Sequence, residues 1–69
     1  MNDKNQDYIT LQNYLKKMNL VQSGGEAKMV IQQGFVLVND EVETRRGKKL
    51  RNQDKVTYQG KTFVVENVC

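Results

Sequence analysis

Ser23-Gly24-Gly25-Glu26-Ala27-Lys28-Met29-Val30-Ile31-Gln32-Gln33-Gly34-Phe35-Val36-Leu37-Val38-Asn39-Asp40 contains a helix start, a helix stop, a strand and a turn in unbroken succession. Ser23 and Glu26 have capping-box spacing, in which the hydroxyl and the carboxylate reciprocally satisfy backbone amides at a helix start. Ala27, Val30 and Ile31 then share one helical face, and Gly34 stands where a C′ residue belongs. Past Gly34 the period changes. Phe35-Val36-Leu37-Val38 is aromatic and β-branched, too short for a helix and suited to a buried strand. Asn39-Asp40 tolerates positive φ, so Glu41-Val42-Glu43-Thr44 is expected to fold back as a partner strand. In that hairpin Val42 is expected to point inward while Glu41 and Glu43 face water.

Toward the N-terminus, Leu11, Tyr14, Leu15 and Met18 fall at i, i+3, i+4 and i+7, one face of a helix of about two turns capped by Thr10. Lys16 and Lys17 lie off that face near the helix end, where positive charge suits the dipole. Asn19 is a stop, Leu20-Val21 an apolar link, Tyr8-Ile9 a short extended piece, and residues 1–7 a polar leader. Toward the C-terminus, Asn52-Gln53-Asp54 reads as a turn and Val56-Thr57-Tyr58 as a strand. Gln59-Gly60 is a second tight turn, from which Lys61-Thr62-Phe63-Val64-Val65 returns. The expected fold is α+β: a helix-turn-helix-like pair packed on a small, mostly antiparallel β-sheet, forming a single domain over residues 8–69.

At 69 residues the chain is near the lower limit for a core that stands alone. Its one cysteine, Cys69, allows no internal disulfide, and without histidine one thiol builds no zinc site. Packing alone must hold the fold, and Cys69 reads as a terminal thiol of no consequence. No apolar run reaches the length of a membrane span, and the polar start Met1–Asp7 does not resemble a signal peptide. A reducing cytoplasm is the expected location.

The net charge is +3, from 11 basic and 8 acidic residues. Arg45-Arg46-Gly47-Lys48-Lys49-Leu50-Arg51 holds five cations and no acid, leaving six basic residues against eight acidic ones elsewhere. The basicity is therefore local, and a polyanion is its obvious partner. A solvated loop is the competing explanation, but such faces normally intersperse both signs, and residues 44–51 lack acids. Arginines can grip phosphates bidentately while lysines act as compact point charges. On the second helix, Gly24, Lys28 and Gln32 line one flank beside the buried stripe. Ser23, Gly24 and Gly25 open its first turn, where exposed amides could receive a phosphate oxygen. Glu26 works against that, and a plain capped helix start is the competing reading.

Chemistry is not expected. The chain lacks histidine, the usual general base near neutral pH, and Cys69 sits where no shaped pocket is expected. Asp40, Glu41 and Glu43 read as turn and strand-face carboxylates rather than a catalytic pair. Gly24, Gly25 and Gly47 form no nucleotide fingerprint. No enzyme activity, cofactor, metal or small-molecule substrate is expected.

Three motifs in order, Ser23-Gly24-Gly25-Glu26-Ala27-Lys28, then Gly34-x-Val36-x-Val38-Asn39, then Glu43-Thr44-Arg45-Arg46-Gly47-Lys48-Lys49, carry a resemblance. Together with Ile31, Val42 and Leu50 they resemble the S-four RNA-binding domain, named after ribosomal small-subunit protein four. The likeness spans about residues 10–58 and is strongest to its short stand-alone bacterial members, the YbcJ/YaaA-like proteins. It implies an alpha-L RNA-binding motif that recognises folded ribosomal or transfer RNA. Ser23, Gly24, Gly25, Lys28 and Gln32 would form one side of the surface, and Val38-Asn39 with Arg45, Arg46, Lys48, Lys49 and Arg51 the other. Three positions depart from the family pattern. Gly24 stands where many members have arginine, Asp40 where a glycine follows Val-Asn, and Gln53 where glycine precedes Asp54.

The expected function is therefore that of a monomeric, non-enzymatic protein binding structured RNA, ribosomal or transfer, on its own or in ribosomal particles. The alternative is a ribosome-associated adaptor that docks on an acidic protein through the same cations. A DNA-reading helix-turn-helix is disfavoured because the second helix offers only Lys28 as a cation. For stacking on single-stranded bases the sequence nominates Tyr58 alone, and places it half-buried in a strand.

Overall fold

The computed structural model describes residues 8–66; the polar leader 1–7 and Cys69 lie outside them. In chain order the elements are β1 (Ile9–Thr10), α1 (Leu11–Lys17), α2 (Gly24–Gln32), β2 (Val36–Val38), β3 (Glu41–Val42), β4 (Lys49–Leu50), β5 (Lys55–Tyr58) and β6 (Lys61–Val64). The fold is α+β, as expected, but its strands form two sheets. One is a four-stranded antiparallel sheet in the order β3-β2-β5-β6, and the other is a two-stranded ribbon of β1 and β4.

Local chemistry explains both helices. Thr10 caps α1, its Oγ1 accepting from the Asn13 amide at 3.4 Å, and Ser23 caps α2 by accepting from Glu26 at 3.2 Å. The Glu26 carboxylate reaches one residue further back than the usual reciprocal pattern, accepting from the Gln22 amide at 2.9 Å. Each helix ends in a 6→1 bond, from Leu20 N–H to the Leu15 carbonyl and from Phe35 N–H to the Val30 carbonyl. The left-handed residue this requires is Asn19 (φ 60°) in the first case and Gly34 (φ 83°) in the second.

The hairpin turns follow the same logic. Asn39 and Asp40 both take positive φ, as do Gln59 and Gly60, which matches the twist of the strands they join. Gln53 also takes φ 82°, at the position where the resemblance places glycine. Inward-facing Val36, Val38, Val56 and Tyr58 line one side of the main sheet and meet Leu11, Leu15, Ala27 and Ile31 from the helices. Ala27 is fully buried, and its small side chain suits close approach of α2 to its neighbour.

One expectation about facing is overturned. Val42 does not point inward; it is 58 % exposed. It pairs with Leu37, which lies between the inward-facing Val36 and Val38 and so belongs to the opposite face. The partner strand also stops at Val42 rather than Thr44. Phe35, expected to open a buried strand, precedes β2 and is exposed.

Candidate nucleic-acid interface

The basic segment Arg45–Arg51 is a built part of the fold rather than a loose loop. β4 takes Lys49 and Leu50 from its middle and pairs them with Thr10 and Ile9 of β1. Leu50 is completely buried, so it anchors the ribbon in the core. Alternation along the strand then turns Lys49 and Arg51 outward. The ribbon leads directly into α1, whose first amides would otherwise lack partners. Leu11 N–H donates to the Lys48 carbonyl at 2.8 Å and Gln12 N–H to the Arg46 carbonyl at 3.0 Å. The main chain of the cationic segment thus caps a helix, while its side chains remain at the surface.

A second set of bonds holds the far end. Arg51 N–H donates to Asp54 Oδ2 at 2.8 Å, and Asn39 Nδ2 donates to Asp54 Oδ1 at 3.2 Å. Asn39 Oδ1 in turn accepts from the Lys55 amide at 3.0 Å. Both ends of the Asn39 amide are therefore engaged inside the protein, tying the β2–β3 turn to the exit of the basic segment. Asp54 is the hub of this network, accepting from both Arg51 and Asn39.

At the entry to the segment, Glu43 folds onto Arg45. Its Oε2 lies 3.0 Å from both the Arg45 amide and Nε, and its Oε1 lies 3.5 Å from Nη2. The Glu43 side chain is only 13 % exposed and does not face water as expected. The Arg45 hydrogen bond holds its carboxyl below the ordinary range, with a further attraction from Lys48. Because the folded value is lowered, the pair's contribution to stability exists above the pH where a free glutamate ionises. It is lost as pH falls through the lowered value. Arg45 itself is well exposed, so the contribution is small. The larger consequence is that one of the five cations is partly neutralised in place. Glu43→Gln is expected to raise affinity for a polyanion by about two- to threefold at low salt. Acidification through the carboxylate range should raise affinity more in the wild type than in the variant, because only the wild type also releases Arg45 from Glu43, and anisotropy titrations at a series of pH values would read the difference.

Arg45, Gly47, Lys48 and Lys49 line an open hollow of about 490 Å³. Beside it stands Tyr8, which carries Lys49 Nζ 5.1 Å and Arg51 Cζ 6.0 Å from its ring centroid. Tyr58, the aromatic nominated from sequence for base stacking, is 6 % exposed and belongs to the core.

The residues expected on the second helix lie across α1 from the basic segment. A methyl group at Gly24 would stand 3.0 Å from Gln12 Nε2 and 4.0 Å from Lys16 Nζ. Gln12 therefore spans the two sides: its backbone amide binds the Arg46 carbonyl and its side chain lies against Gly24. The two expected sides of the surface are thus linked through α1. Lys28 and Gln32 are exposed further along α2, about 6 and 12 Å from Gly24 by helical rise. Ser23 and Gly25 are placed at the α2 start, where the Glu26 carboxylate already accepts from the Gln22 amide and the Glu26 amide donates to Ser23 Oγ. Gln12, Lys16 and Tyr8 are not among the site residues expected from sequence. The surface position of Lys16 is legible from its place off the buried face of α1, whereas the placement of Tyr8 beside Lys49 and Arg51 depends on the β1–β4 pairing, which no local pattern announces.

Among the described residues, no group of acidic, histidine or cysteine side chains is arranged to hold a metal ion. None of the described helices is long and apolar enough to cross a membrane. Fold and site together define a small α+β module with a rigid cationic edge built on an antiparallel ribbon. The family model described as the S4 domain matches residues 3–66, and the chain belongs to that family. It is also similar to a protein of Bacillus subtilis (strain 168) named "Probable ribosome maturation protein RlbA". The two are 46% identical over 54 residues, covering 78% of this chain and 76% of the relative.

Proposed function

We propose that this protein is a non-catalytic RNA-binding module that acts as a monomer in the cytoplasm on structured ribosomal or transfer RNA, in ribosome maturation. The observation that carries this reading is the cationic edge, whose backbone is locked by α1, β1 and Asp54 while its charged ends face outward. Pre-placed cations lose little freedom on binding, which favours a partner with regularly spaced phosphates. Folded RNA is read largely through phosphates, 2′-hydroxyls and shape, which suits a compact surface of this kind. Membership of the S4 domain family and the likeness to a ribosome maturation protein support the same partner.

In this proposal Arg45, Arg46, Lys48, Lys49 and Arg51 contact phosphates from one side. Ser23, Gly24, Gly25, Lys28 and Gln32 flank them across α1, and Asn39 acts through the turn it fixes. Crosslinking the protein in cells and sequencing the attached RNA tests the reading. Ribosomal or transfer RNA fragments clustered at a few folded positions are expected, and they should diminish when Lys48 and Lys49 are both alanine. Recovery of an acidic protein without RNA would replace the proposal with the adaptor.

A further inference from the structure

The outward face of the β1–β4 ribbon places two different chemistries side by side. One step outward from the Ile9–Leu50 pair puts Tyr8 beside Arg51, on the same face as Lys49. Lys49 then belongs to two surroundings at once. Its Nζ lies 5.1 Å from the Tyr8 ring centroid, and its side chain helps line the hollow with Arg45, Gly47 and Lys48. A half-exposed aromatic ring and a polycationic hollow are thus adjacent, joined by one lysine.

A nucleotide carries the complementary pair, a flat base and a phosphate joined by one sugar. Within a duplex the base is stacked and turned away from the backbone, so only an unpaired nucleotide can present both at once. Bases laid on aromatic side chains gain affinity with little dependence on base identity, and a neighbouring arginine plane adds to the platform.

We propose that the hollow and Tyr8 form a single-nucleotide subsite. The RNA recognised carries an unpaired nucleotide, at a bulge or junction, with its phosphate at Lys48 and Lys49 and its base against the Tyr8 ring. This rests on the RNA-binding reading above and narrows it from folded RNA in general to folded RNA with an extruded base.

The test uses the full chain and two hairpin RNAs, identical except that one carries a single bulged nucleotide. Wild type is expected to bind the bulged hairpin about tenfold more tightly. Tyr8→Leu should erase that preference while leaving the salt slope on both hairpins unchanged, because no charge is removed. Tyr8→Phe, which keeps the ring, should retain the preference. Equal wild-type affinity for the two RNAs overturns the subsite. So does an equal loss on both RNAs in Tyr8→Leu, since the ring would then serve only to hold Lys49 and Arg51 in place. Absence of salt-dependent binding to either hairpin would instead sink the RNA reading on which the subsite stands. Should Tyr8→Leu fail to fold, the wild-type comparison alone decides.

Discussion

Alanine at both Lys48 and Lys49 is expected to weaken binding to structured RNA about tenfold or more at low salt. The slope of log affinity against log salt should fall by roughly one and a half units, because two phosphate contacts and their released counterions are lost. The double variant separates charge from scaffold. What these positions give the fold is chiefly main chain: the Lys48 carbonyl receives the Leu11 amide, and Lys49 pairs with Thr10. Alanine preserves both and removes only the surface contact of Lys49 with the Tyr8 ring. The urea midpoint should therefore stay close to wild type while the salt titration changes. A folded double variant with undiminished affinity would remove the edge from the binding surface.

Leu50→Ala should do the reverse. Leu50 has no exposed surface and is the only apolar residue in the basic segment. Truncating a buried leucine costs about 2–5 kcal/mol. Total stability for a domain of this size is on the order of 5 kcal/mol. A large fall in the urea midpoint is expected, with RNA affinity declining in step although every cation is still present. Leu50→Met conserves volume and should lose less than about 1.5 kcal/mol. If Leu50→Ala kept its midpoint, the ribbon would not be anchored through this side chain. If it unfolded readily but Leu50→Met bound RNA poorly at full stability, affinity would depend on more than the ribbon's attachment.

The surroundings of Lys48, Lys49 and Leu50 also show what the sequence could and could not disclose. The helices were legible because their boundaries are set by neighbours a few residues away: Ser23 and Glu26 at one end, Gly34 at the other. The turns at Asn39-Asp40 and Gln59-Gly60 were legible for the same reason. The facing of Val42 was not, because a strand of two residues at a sheet edge takes its orientation from the register with Leu37. The β1–β4 ribbon was hidden more thoroughly. Its strands are too short for alternation to register, and Lys49 looks like part of a charge run rather than a strand residue. The cationic segment itself stood out from composition alone. Its attachment to α1 and the company of Tyr8 did not, since both follow from contacts between distant parts of the chain.

Pairing Ile9 with Leu50 has a consequence for the order of events during synthesis. The whole segment between them must close into a loop before the ribbon can form, and such distant contacts are entropically late. The α1–α2 pair needs only neighbouring sequence and can assemble while the remainder is still emerging. Until residues near Leu50 have left the exit tunnel and found Ile9, the cations lie on a nascent chain without the ribbon that positions them. On the proposed RNA-binding reading, selectivity would arrive only with closure of the loop. A ribosome-bound nascent chain cut short before Leu50 would thus carry much of the charge and little of the discrimination of the finished protein.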